Sequence, residues 1–347
     1  MFFEYLYIGS SANLNADYFT DRQDRYVQFK SPDLTNFMSR VLESVAEFSF
    51  SLSSEGLIPP KIDLTKDAST KGEWEREFAC RITQEWEHAV SKYPLPSKAI
   101  QEEMALVLPT IQLGHIKVTT DEQVTTRILK AVSNERNSSG ILCIASGYLN
   151  FPKSYTQLIS GSALNVRVLT ASPQVRVLSK ISVLELTNFI FSFQANGFYN
   201  SKGASGYIPP GYTYLEQQFF KATKTLHDKI QVFEYIRPGW TFHAKGMWVL
   251  RSGKDGEEKS RQPLLFSIGS SNFGYRSCKR DLEMNAIVLL PDSRKSAQNA
   301  QLCRDVLENV DYLWKDAVTV NEEDLAKKDR RPPWWLKGIA RLLRGYL

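Results

Sequence analysis

The sequence predicts an α/β protein, because strand-like and helix-like patterns alternate along most of the chain. Apolar runs of strand length occur at residues 141–145, 166–170, 230–236 and 284–290. Apolar residues with helical spacing occur at residues 33–50, 71–92, 124–132, 152–159, 212–227 and 294–314. Alternation of this kind is typical of a sheet covered by helices. The Ser-, Pro- and Lys-rich residues 52–71 are predicted to form a loop.

Composition fits an enzyme with a soluble body. The chain has 347 residues, of which 42% are hydrophobic, and this length is enough for about two domains with real cores. It has no run of 18 uncharged apolar residues, so no transmembrane helix is predicted. Its four cysteines are widely spaced without a CxxC motif, which argues against a zinc site or a disulfide framework. The net charge of +5 suits either nucleic acid or anionic lipid.

The most specific pattern begins at His243 and Lys245, two residues apart in a period-2 run that continues as the apolar residues 247–250. This spacing predicts that both side chains lie on one face of a strand. A second apolar run, residues 264–268, ends in Gly-Ser-Ser-Asn, and the charged, Gly-containing residues 251–262 between the runs predict a hairpin.

This hairpin would bring together an imidazole, an ammonium, a hydroxyl and an amide, supplied by His243, Lys245, Ser270 and Asn272. Such a set suits a phosphoryl group. The imidazole would act as nucleophile or general acid/base, and the other groups would stabilise charge and donate hydrogen bonds.

The motif has a partial repeat near the start of the chain, which indicates an internal duplication. Aligning Asn13 with Asn272 places Ser11 over Ser270 and Asp24 over Glu283. The repeat predicts two similar halves that face each other, each contributing part of one site.

The combined pattern of HxK, strand, GSxN and a following acidic residue resembles the phospholipase D superfamily. The segments RPGWTFHAKGMW and IGSSNFGYRSCKRDLE look like the mitochondrial phosphatidylglycerophosphate synthases of that superfamily. Residues 195–220 are similar to the substrate loop of that family. The Asp that the superfamily usually carries five residues after the Lys would fall at Leu250, and the synthase branch is similar to this chain in lacking it.

The resemblance implies a phospholipase D-like duplicated α/β/α sandwich with an incomplete first half. The expected division is residues 1–115 as a remnant of the first half, 116–325 as the second half, and 326–347 as a basic amphipathic tail. The implied catalytic residues are His243, Lys245 and Glu283, with Glu283 orienting an imidazole. The implied substrate- or phosphate-binding residues are Ser270, Asn272, Ser11, Asn13 and Asp24.

The implied reaction transfers a phosphatidyl group from CDP-diacylglycerol to glycerol 3-phosphate through a phosphohistidine, giving phosphatidylglycerophosphate and CMP. One imidazole would attack phosphorus, while a second would protonate CMP and then activate the glycerol hydroxyl. No metal or cofactor is expected, because Lys and His supply the charge. The implied location is the mitochondrial inner membrane, where the reaction feeds cardiolipin synthesis.

Two segments depart from the family pattern. A second His-x-Lys is expected before Ser11, and none is present, so the sequence is interpreted as N-terminally truncated and is expected to lack synthase activity by itself. The resemblance becomes continuous if residues 175–194 are removed. Twenty residues correspond to a whole number of codons, and the segment begins with Val, whose codons start with GT, and ends with Gln, whose codon can be CAG. These features support the hypothesis of a translated, unspliced intron.

The last residues, 330–347, predict a helix with an apolar face opposite a basic face of Lys337, Arg341 and Arg344. This pattern favours a helix lying in the surface of an anionic membrane, and a last helix packed on the protein body is the alternative. The predicted apolar face consists of Trp335, Ile339, Leu342, Leu343 and Tyr346.

Two alternative functions stay open on the sequence alone. One is a catalytically inactive remnant that binds membrane or nucleic acid, and the other is a phospholipase D-type phosphodiesterase or nuclease. The lipid-like tail and the SKGASGYIPPGY loop argue against nucleic acid as the partner.

Overall fold

The computed structural model describes residues 6–13, 15–54, 56–60, 68–92, 103–135, 139–173, 208–252, 261–327 and 330–342. The hypothesised insert at residues 175–194 lies outside these residues. Within them the strands are β1 (Leu6–Ser10), β2 (Arg22–Gln23), β3 (Tyr26–Lys30), β4 (Ser51–Ser53), β5 (Gly56–Ile58), β6 (Leu106–Leu113), β7 (Val118–Thr119), β8 (Gly140–Ser146), β9 (Asn165–Ala171), β10 (Ile230–Tyr235), β11 (Thr241–Phe242), β12 (Gly246–Arg251), β13 (Gln262–Gly269), β14 (Glu283–Leu289) and β15 (Ala317–Thr319).

The α-helices of the same residues are α1 (Pro32–Glu47), α2 (Ala68–Lys92), α3 (Thr120–Ser133), α4 (Lys153–Ser160), α5 (Ile208–Ala222), α6 (Tyr275–Lys279), α7 (Ala297–Trp314), α8 (Glu322–Ala326) and α9 (Trp334–Leu342). Local sequence explains where several of them begin. The Ser31 side chain caps α1 at the Leu34 amide, with Pro32 in the first turn, and the Ser296 side chain caps α7 at the Asn299 amide.

Within the described residues, nine strands form one sheet in the order β15-β10-β9-β8-β12-β13-β14-β6-β7. The neighbours β8, β9 and β10 are parallel, and the strands from β12 to β6 are antiparallel to their neighbours. The carboxyl end of β8 therefore lies beside the start of β12, where Gly246 pairs with Ala145. Loops that carry polar residues at this edge come close to one another.

Both faces of the sheet are covered, as the sequence predicts for an α/β/α arrangement. One buried cluster joins α3, α4 and α5 to residues such as Leu142 and Ile144 of β8. The opposite face, with Cys143 and Ala145 of the same strand, packs against α7. Alternation of neighbouring side chains between the two faces follows from the period of a β-strand.

The N-terminal residues pack against this layered body. β1 and β3 form an antiparallel pair, and Gly9 lies so close to β13 that a Cβ atom there would be 3.4 Å from Ile268. A third cluster joins α1 and α2 to β6 and β7, with Val41 and Ile111 fully buried. The described residues before residue 93 thus contribute two two-stranded sheets and two helices beside the nine-stranded sheet.

Most predicted elements are found within a few residues of their expected bounds, and three details differ. His243 and Lys245 precede β12 and are not part of it. Residues 51–58 contain the short antiparallel pair β4–β5, where a loop is predicted. The boundary at residue 115 stays a prediction, and β6, at Leu106–Leu113, pairs with β14 in the large sheet.

The C-terminal helix α9 packs on α5 through Ala340, which lies in one buried cluster with Tyr214 and Leu215, and Leu336 of the same helix is also buried. Trp334 is 84% exposed, Trp335 37% and Ile339 43%. The predicted apolar face is therefore not the face that packs on the body, because the contact is made one position further along the helix. No helix in the described residues combines the length and apolarity needed to cross a bilayer.

Candidate active site

Two short strands that are far apart in sequence pair with each other at the site. β2 and β11 run parallel, with Gln23 opposite Phe242. The His243 amide donates to the Gln23 carbonyl at 2.9 Å, and the Thr241 amide donates to the Asp21 carbonyl at 2.9 Å. This backbone pairing places Asp24 beside His243, although the two are far apart in sequence.

Asp24 is buried, and its carboxylate accepts three hydrogen bonds. They come from the His243 ring at Nδ1 (2.9 Å), from the Arg25 amide (2.8 Å) and from the Ser11 hydroxyl. A carboxylate that accepts from Nδ1 favours the proton on that nitrogen, so the lone pair of neutral His243 lies on Nε2. The arrangement resembles other sites in which a buried carboxylate fixes an imidazole.

Lys245 lies against the same imidazole. Its Nζ is 2.9 Å from Nδ1 and 3.0 Å from Nε2 of His243, and it donates to the His243 carbonyl at 2.7 Å. Burial lowers the pKa of Lys245 to about 7, although the charges of Asp24 and Glu283 oppose the change. Burial also lowers the pKa of His243, as does Lys245, while Asp24 opposes this. A bound anion would be favoured here, because it would offset the cost of burying the ammonium.

The loop after β13 supplies the second side of the site. Ser270 is held by β14, since its amide donates to the Met284 carbonyl at 3.1 Å and its Oγ accepts from the Met284 amide at 3.1 Å. Glu283 is hydrogen-bonded to Ser270 and Ser277, and burial raises the pKa of Glu283. These contacts place a carboxyl group near Lys245 that is harder to ionise than an exposed one.

Asn272 is fixed through its backbone, which leaves its side chain available. Its amide donates to the Ser277 hydroxyl at 3.2 Å, and its carbonyl accepts from the Ser146 hydroxyl at 2.9 Å. The buried Oδ1 atom of Asn272 has no hydrogen-bond partner among the described residues. A Cβ atom on Gly147 would lie 3.6 Å from this Oδ1 and 4.0 Å from the Cα of His243, so Gly147 separates Asn272 from the imidazole segment.

The structure thus brings most of the predicted residues to one place. Ser11, Asp24, His243 and Lys245 are connected by hydrogen bonds. Asn13 is one step removed: its amide donates to the Tyr18 hydroxyl at 3.0 Å, and the Tyr18 ring packs edge-on against the His243 ring.

Two predicted roles are not supported by this geometry. Asp24 was expected to bind substrate or phosphate, but its oxygens are occupied by His243, Ser11 and the Arg25 amide, and a carboxylate repels phosphate. Glu283 was expected to orient an imidazole, yet the groups that act on it are the hydroxyls of Ser270 and Ser277 and the charges of Asp281 and Lys245. The carboxylate beside the described imidazole is Asp24.

Two buried charged residues beside the site, Arg25 and Asp121, were not predicted from the sequence. The Arg25 guanidinium donates to the carbonyls of Lys245 and Ser267, both at 2.8 Å, and lies 4.2 Å from the Trp248 ring. Asp121 accepts from Thr110 and from Asn285, both at 2.8 Å, below the loop that carries Asn272. In the sequence, the position of Arg25 next to the repeat residue Asp24 is the feature that could have indicated a role at the site. Asp121 lies in the first turn of a helix, where acidic residues are common, so its position gives no such indication.

Similar curated proteins share one name. The chain is 29% identical over 97% of its length to "CDP-diacylglycerol--glycerol-3-phosphate 3-phosphatidyltransferase, mitochondrial" of Gallus gallus, and 30% identical over 97% to the protein of that name from Mus musculus. A "probable" enzyme of this name from Dictyostelium discoideum is 30% identical over 92% of the chain. The chain spans 59%, 58% and 52% of these relatives, and no family model matches it.

A solved structure shares the fold. The phosphatidylserine synthase of Haemophilus influenzae Rd KW20 matches with a TM-score of 0.64 at 18% identity, covering 99% of this chain and 70% of that one. At this identity the likeness concerns the fold alone. Together with the layered nine-stranded sheet, it confirms the predicted α/β class of the fold.

Proposed function

We propose that this chain carries the nucleophile of a phosphatidyl transfer from CDP-diacylglycerol to glycerol 3-phosphate, which gives phosphatidylglycerophosphate and CMP and needs a second imidazole for its second step. The observation that carries the proposal is the contact of His243 with Asp24 on one side and Lys245 on the other. The proposal is supported by the shared name of the curated relatives, which span the chain almost end to end.

His243 is the proposed nucleophile. With Asp24 holding the Nδ1 proton, Nε2 forms a bond to the phosphorus of CDP-diacylglycerol as the bond from phosphorus to the CMP oxygen breaks. The electron pair of the broken bond stays on the CMP oxygen. Since the second pKa of a phosphomonoester is about 6, CMP departs as an anion near neutral pH and needs little help from a proton donor.

The second step returns His243 to its free form. A hydroxyl oxygen of glycerol 3-phosphate bonds to phosphorus, the bond from phosphorus to Nε2 breaks, and the hydroxyl proton passes to a base. The resemblance to phospholipase D-type enzymes implies a second imidazole as that base. Lys245, Ser270 and Asn272 supply positive charge and hydrogen-bond donors to the phosphate oxygens in both steps.

The proposed residue roles are therefore as follows. His243 bonds to phosphorus, Lys245 and the loop residues hold its oxygens, and Asp24 and Ser11 orient the imidazole. Asn13 positions Tyr18 against the His243 ring. Glu283 is a positioning residue for Ser270 and balances the charge of Lys245.

The proposed setting is the surface of a mitochondrial membrane. The relatives from Gallus gallus and Mus musculus are named as mitochondrial enzymes, and the C-terminal segment exposes Trp334 and Ile339 near the basic residues Arg331 and Lys337. Exposed aromatic and aliphatic side chains next to basic ones favour binding to anionic lipid.

The test separates the two half-reactions. The chain is incubated with CDP-diacylglycerol labelled at the phosphatidyl phosphorus, and CMP release and acid-labile label on the protein are measured without glycerol 3-phosphate. Label on wild type and its absence on His243→Ala are expected. Movement of the label into lipid on adding glycerol 3-phosphate is expected for a form to which a second, upstream His-x-Lys has been added, because that step needs a second imidazole.

Two outcomes would overturn parts of the proposal. Equal labelling of wild type and His243→Ala removes His243 as the nucleophile, and absence of both label and CMP removes phosphatidyl transfer. If the rate of CMP release does not depend on the concentration of glycerol 3-phosphate and water is the acceptor, a phosphodiesterase would be favoured instead.

A further inference from the structure

A buried pair of carboxyl groups lies close to the proposed site and takes no part in the mechanism above. Glu216 of α5 and Glu234 of β10 are both buried, at 3% and 2% exposure, and they share a hydrogen bond. Arg330 reaches Glu234 with both terminal nitrogens, and the Ser172 hydroxyl donates to Glu234 at 2.9 Å. Two carboxyl groups thus face one guanidinium.

The shared cation leaves Glu216 neutral. Burial and the charge of Glu234 raise the pKa of Glu216 well above its usual value, against the opposing charge of Arg330. Glu234, and not Glu216, makes the paired contact with the Arg330 guanidinium. The Glu216 proton is then donated to Glu234, and the remaining oxygen of Glu216 is a hydrogen-bond acceptor without a charge.

That remaining oxygen is unsatisfied. The Oε1 atom of Glu216 is buried and has no hydrogen-bond partner among the described residues. Glu216 lines a small cavity of about 10 Å³ together with Gly147, Tyr148, Thr170, Tyr212 and Thr213. This is roughly the smallest space that holds one water molecule or one hydroxyl oxygen. A buried acceptor without a partner is costly, which favours a donor from outside the chain.

The cavity adjoins the reacting groups. Gly147 lines it and also lies between Asn272 and His243, where its Cβ would be 3.6 Å from Asn272 Oδ1. Gly147 and Thr170 lie at the carboxyl ends of the parallel strands β8 and β9, on the same sheet edge as the start of β12. Ligands of parallel sheets bind at this edge. The stacked rings of Tyr148 and Tyr212, 4.2 Å apart, form one wall.

We infer that the Glu216 cavity is a hydroxyl-recognition subsite, in which Glu216 Oε1 accepts a hydrogen bond from an alcohol group of a substrate. A neutral acceptor in a space for one oxygen atom suits a hydroxyl, whereas a phosphate group is too large and offers no donor when ionised. The inference rests on the proposed function for its ligands, which are the ribose of the cytidine nucleotide and the secondary alcohol of glycerol 3-phosphate. Both sources share the required chemistry.

The experiment measures binding, so that it does not depend on turnover. Isothermal titration calorimetry compares CMP with 2′-deoxy-CMP, and glycerol 3-phosphate with 3-hydroxypropyl phosphate, which lacks the secondary hydroxyl. We expect wild type to favour the hydroxylated member of one pair by about tenfold, since a lost hydrogen bond that leaves a buried acceptor unpaired has an effect of this size. The pair that shows the preference identifies the source of the hydroxyl.

Two variants test the role of Glu216 itself. Glu216→Leu removes the acceptor while leaving the Glu234–Arg330 pair balanced, and should bind both members of the pair within about twofold. Glu216→Gln keeps a carbonyl acceptor and a donor toward Glu234, and should retain most of the preference. Unfolding temperatures of all three proteins verify that each is folded.

The outcomes separate this inference from the proposed function. Equal binding of hydroxylated and deoxy ligands by wild type, including no binding of any of the four, overturns the subsite. A preference that persists in Glu216→Leu also overturns it, because another group must then hold the hydroxyl. A preference that depends on Glu216 in a chain that never labels His243 keeps the subsite and removes the transfer reaction.

Discussion

His243 is surrounded by groups whose effects on its protonation oppose one another. Burial and the Lys245 ammonium disfavour the imidazolium form, whereas the Asp24 carboxylate favours it. The net result is a lowered pKa, so the ring is available as a neutral nucleophile near pH 7. Asp24 contributes orientation as well as charge, because it fixes which ring nitrogen carries the proton.

The first prediction concerns this orientation. Asp24→Asn keeps the shape of the side chain but removes its charge, and the amide can hold His243 in the wrong tautomer. We expect labelling of His243 by CDP-diacylglycerol to slow by about 10²-fold or more. Asp17→Asn is the matched control, since Asp17 lies half-exposed and pairs with Arg22 instead. An Asp24→Asn rate within about threefold of wild type would contradict the role of Asp24.

The second prediction is a pH dependence of folding that arises from Lys245. Its pKa is about 7 in the folded protein against an ordinary value of 10.5, so between these values the unfolded chain binds a proton that the folded chain does not. Stability should therefore rise with pH across this window, with a slope from this group approaching about 1.4 kcal/mol per pH unit, and it should gain nothing below the window.

Urea unfolding at pH 6, 7, 8 and 9 measures this effect. Lys245→Met lacks the titrating group, so its stability should rise less than that of wild type between pH 7 and pH 9. Parallel curves for the two proteins would show that Lys245 keeps an ordinary pKa in the folded state.

At the scale of elements, the site depends on how the segment around β2 docks on the start of β12. The Arg25 guanidinium passes over the backbone at Gly246 to reach the carbonyls of Lys245 and Ser267, and it also bonds to Asn309 of α7. Burial lowers the pKa of Arg25 to about 9. Because the Arg25 guanidinium donates to the carbonyl of Lys245, the docking of the segment around β2 also positions the backbone that carries His243 and Lys245.

The third prediction tests that docking. A Cβ atom at Gly246 would lie 2.2 Å from Arg25 Nη1 and 2.9 Å from the Trp248 ring, so Gly246→Ala must displace the guanidinium. We expect a loss of about 1–3 kcal/mol in the free energy of unfolding, as for other overpacked sites. The measurement is urea denaturation.

Gly72→Ala is the control for this substitution. Nothing lies within 4 Å of a Cβ atom at Gly72, which is in α2, so the change should stabilise the protein by about 0.5–1 kcal/mol through helix propensity. If both variants shift stability by the same amount and sign, the close approach of Arg25 to Gly246 does not matter for stability.

At the scale of the whole molecule, the C-terminal helix links the protein body to its proposed membrane. Ala340 of α9 packs on α5, Leu336 of the same helix is buried, and Arg330 just before the helix bonds to the buried Glu234. On its other sides α9 leaves Trp334 and Ile339 exposed. The same helix can therefore pack on the body and still offer apolar side chains to a membrane surface.

The fourth prediction concerns these exposed side chains. The double variant Trp334→Ser, Ile339→Ser should bind vesicles of anionic phospholipid about tenfold more weakly than wild type, because it loses the two most exposed large apolar side chains described on α9. Co-sedimentation gives the bound fraction. Leu52→Ser is the control, since Leu52 is 82% exposed on β4 and far from α9 in sequence. Equal losses for the two variants would contradict a specific role of α9.

The sequence by itself determined the local features of this protein. Apolar periodicity identified the helices and the buried strands, because each pattern reflects which side of an element meets the core. The HxK and GSxN motifs identified His243, Lys245, Ser270 and Asn272, since their spacing and residue types are visible without a structure. The segments that resemble phosphatidylglycerophosphate synthases pointed to phosphatidyl transfer, because such a resemblance is also visible without a structure.

The tertiary structure alone decided which groups meet across the chain. Asp24 contacts His243 because β2 pairs with β11, and no spacing along the chain encodes that pairing. Arg25 and Glu216 read as ordinary surface charges in the sequence, and only the packing of distant elements buries them. The face of α9 that packs inward was likewise set by its partner α5. Long-range contacts depend on the shape of both partners, so a local pattern that fits several partners equally well does not choose among them.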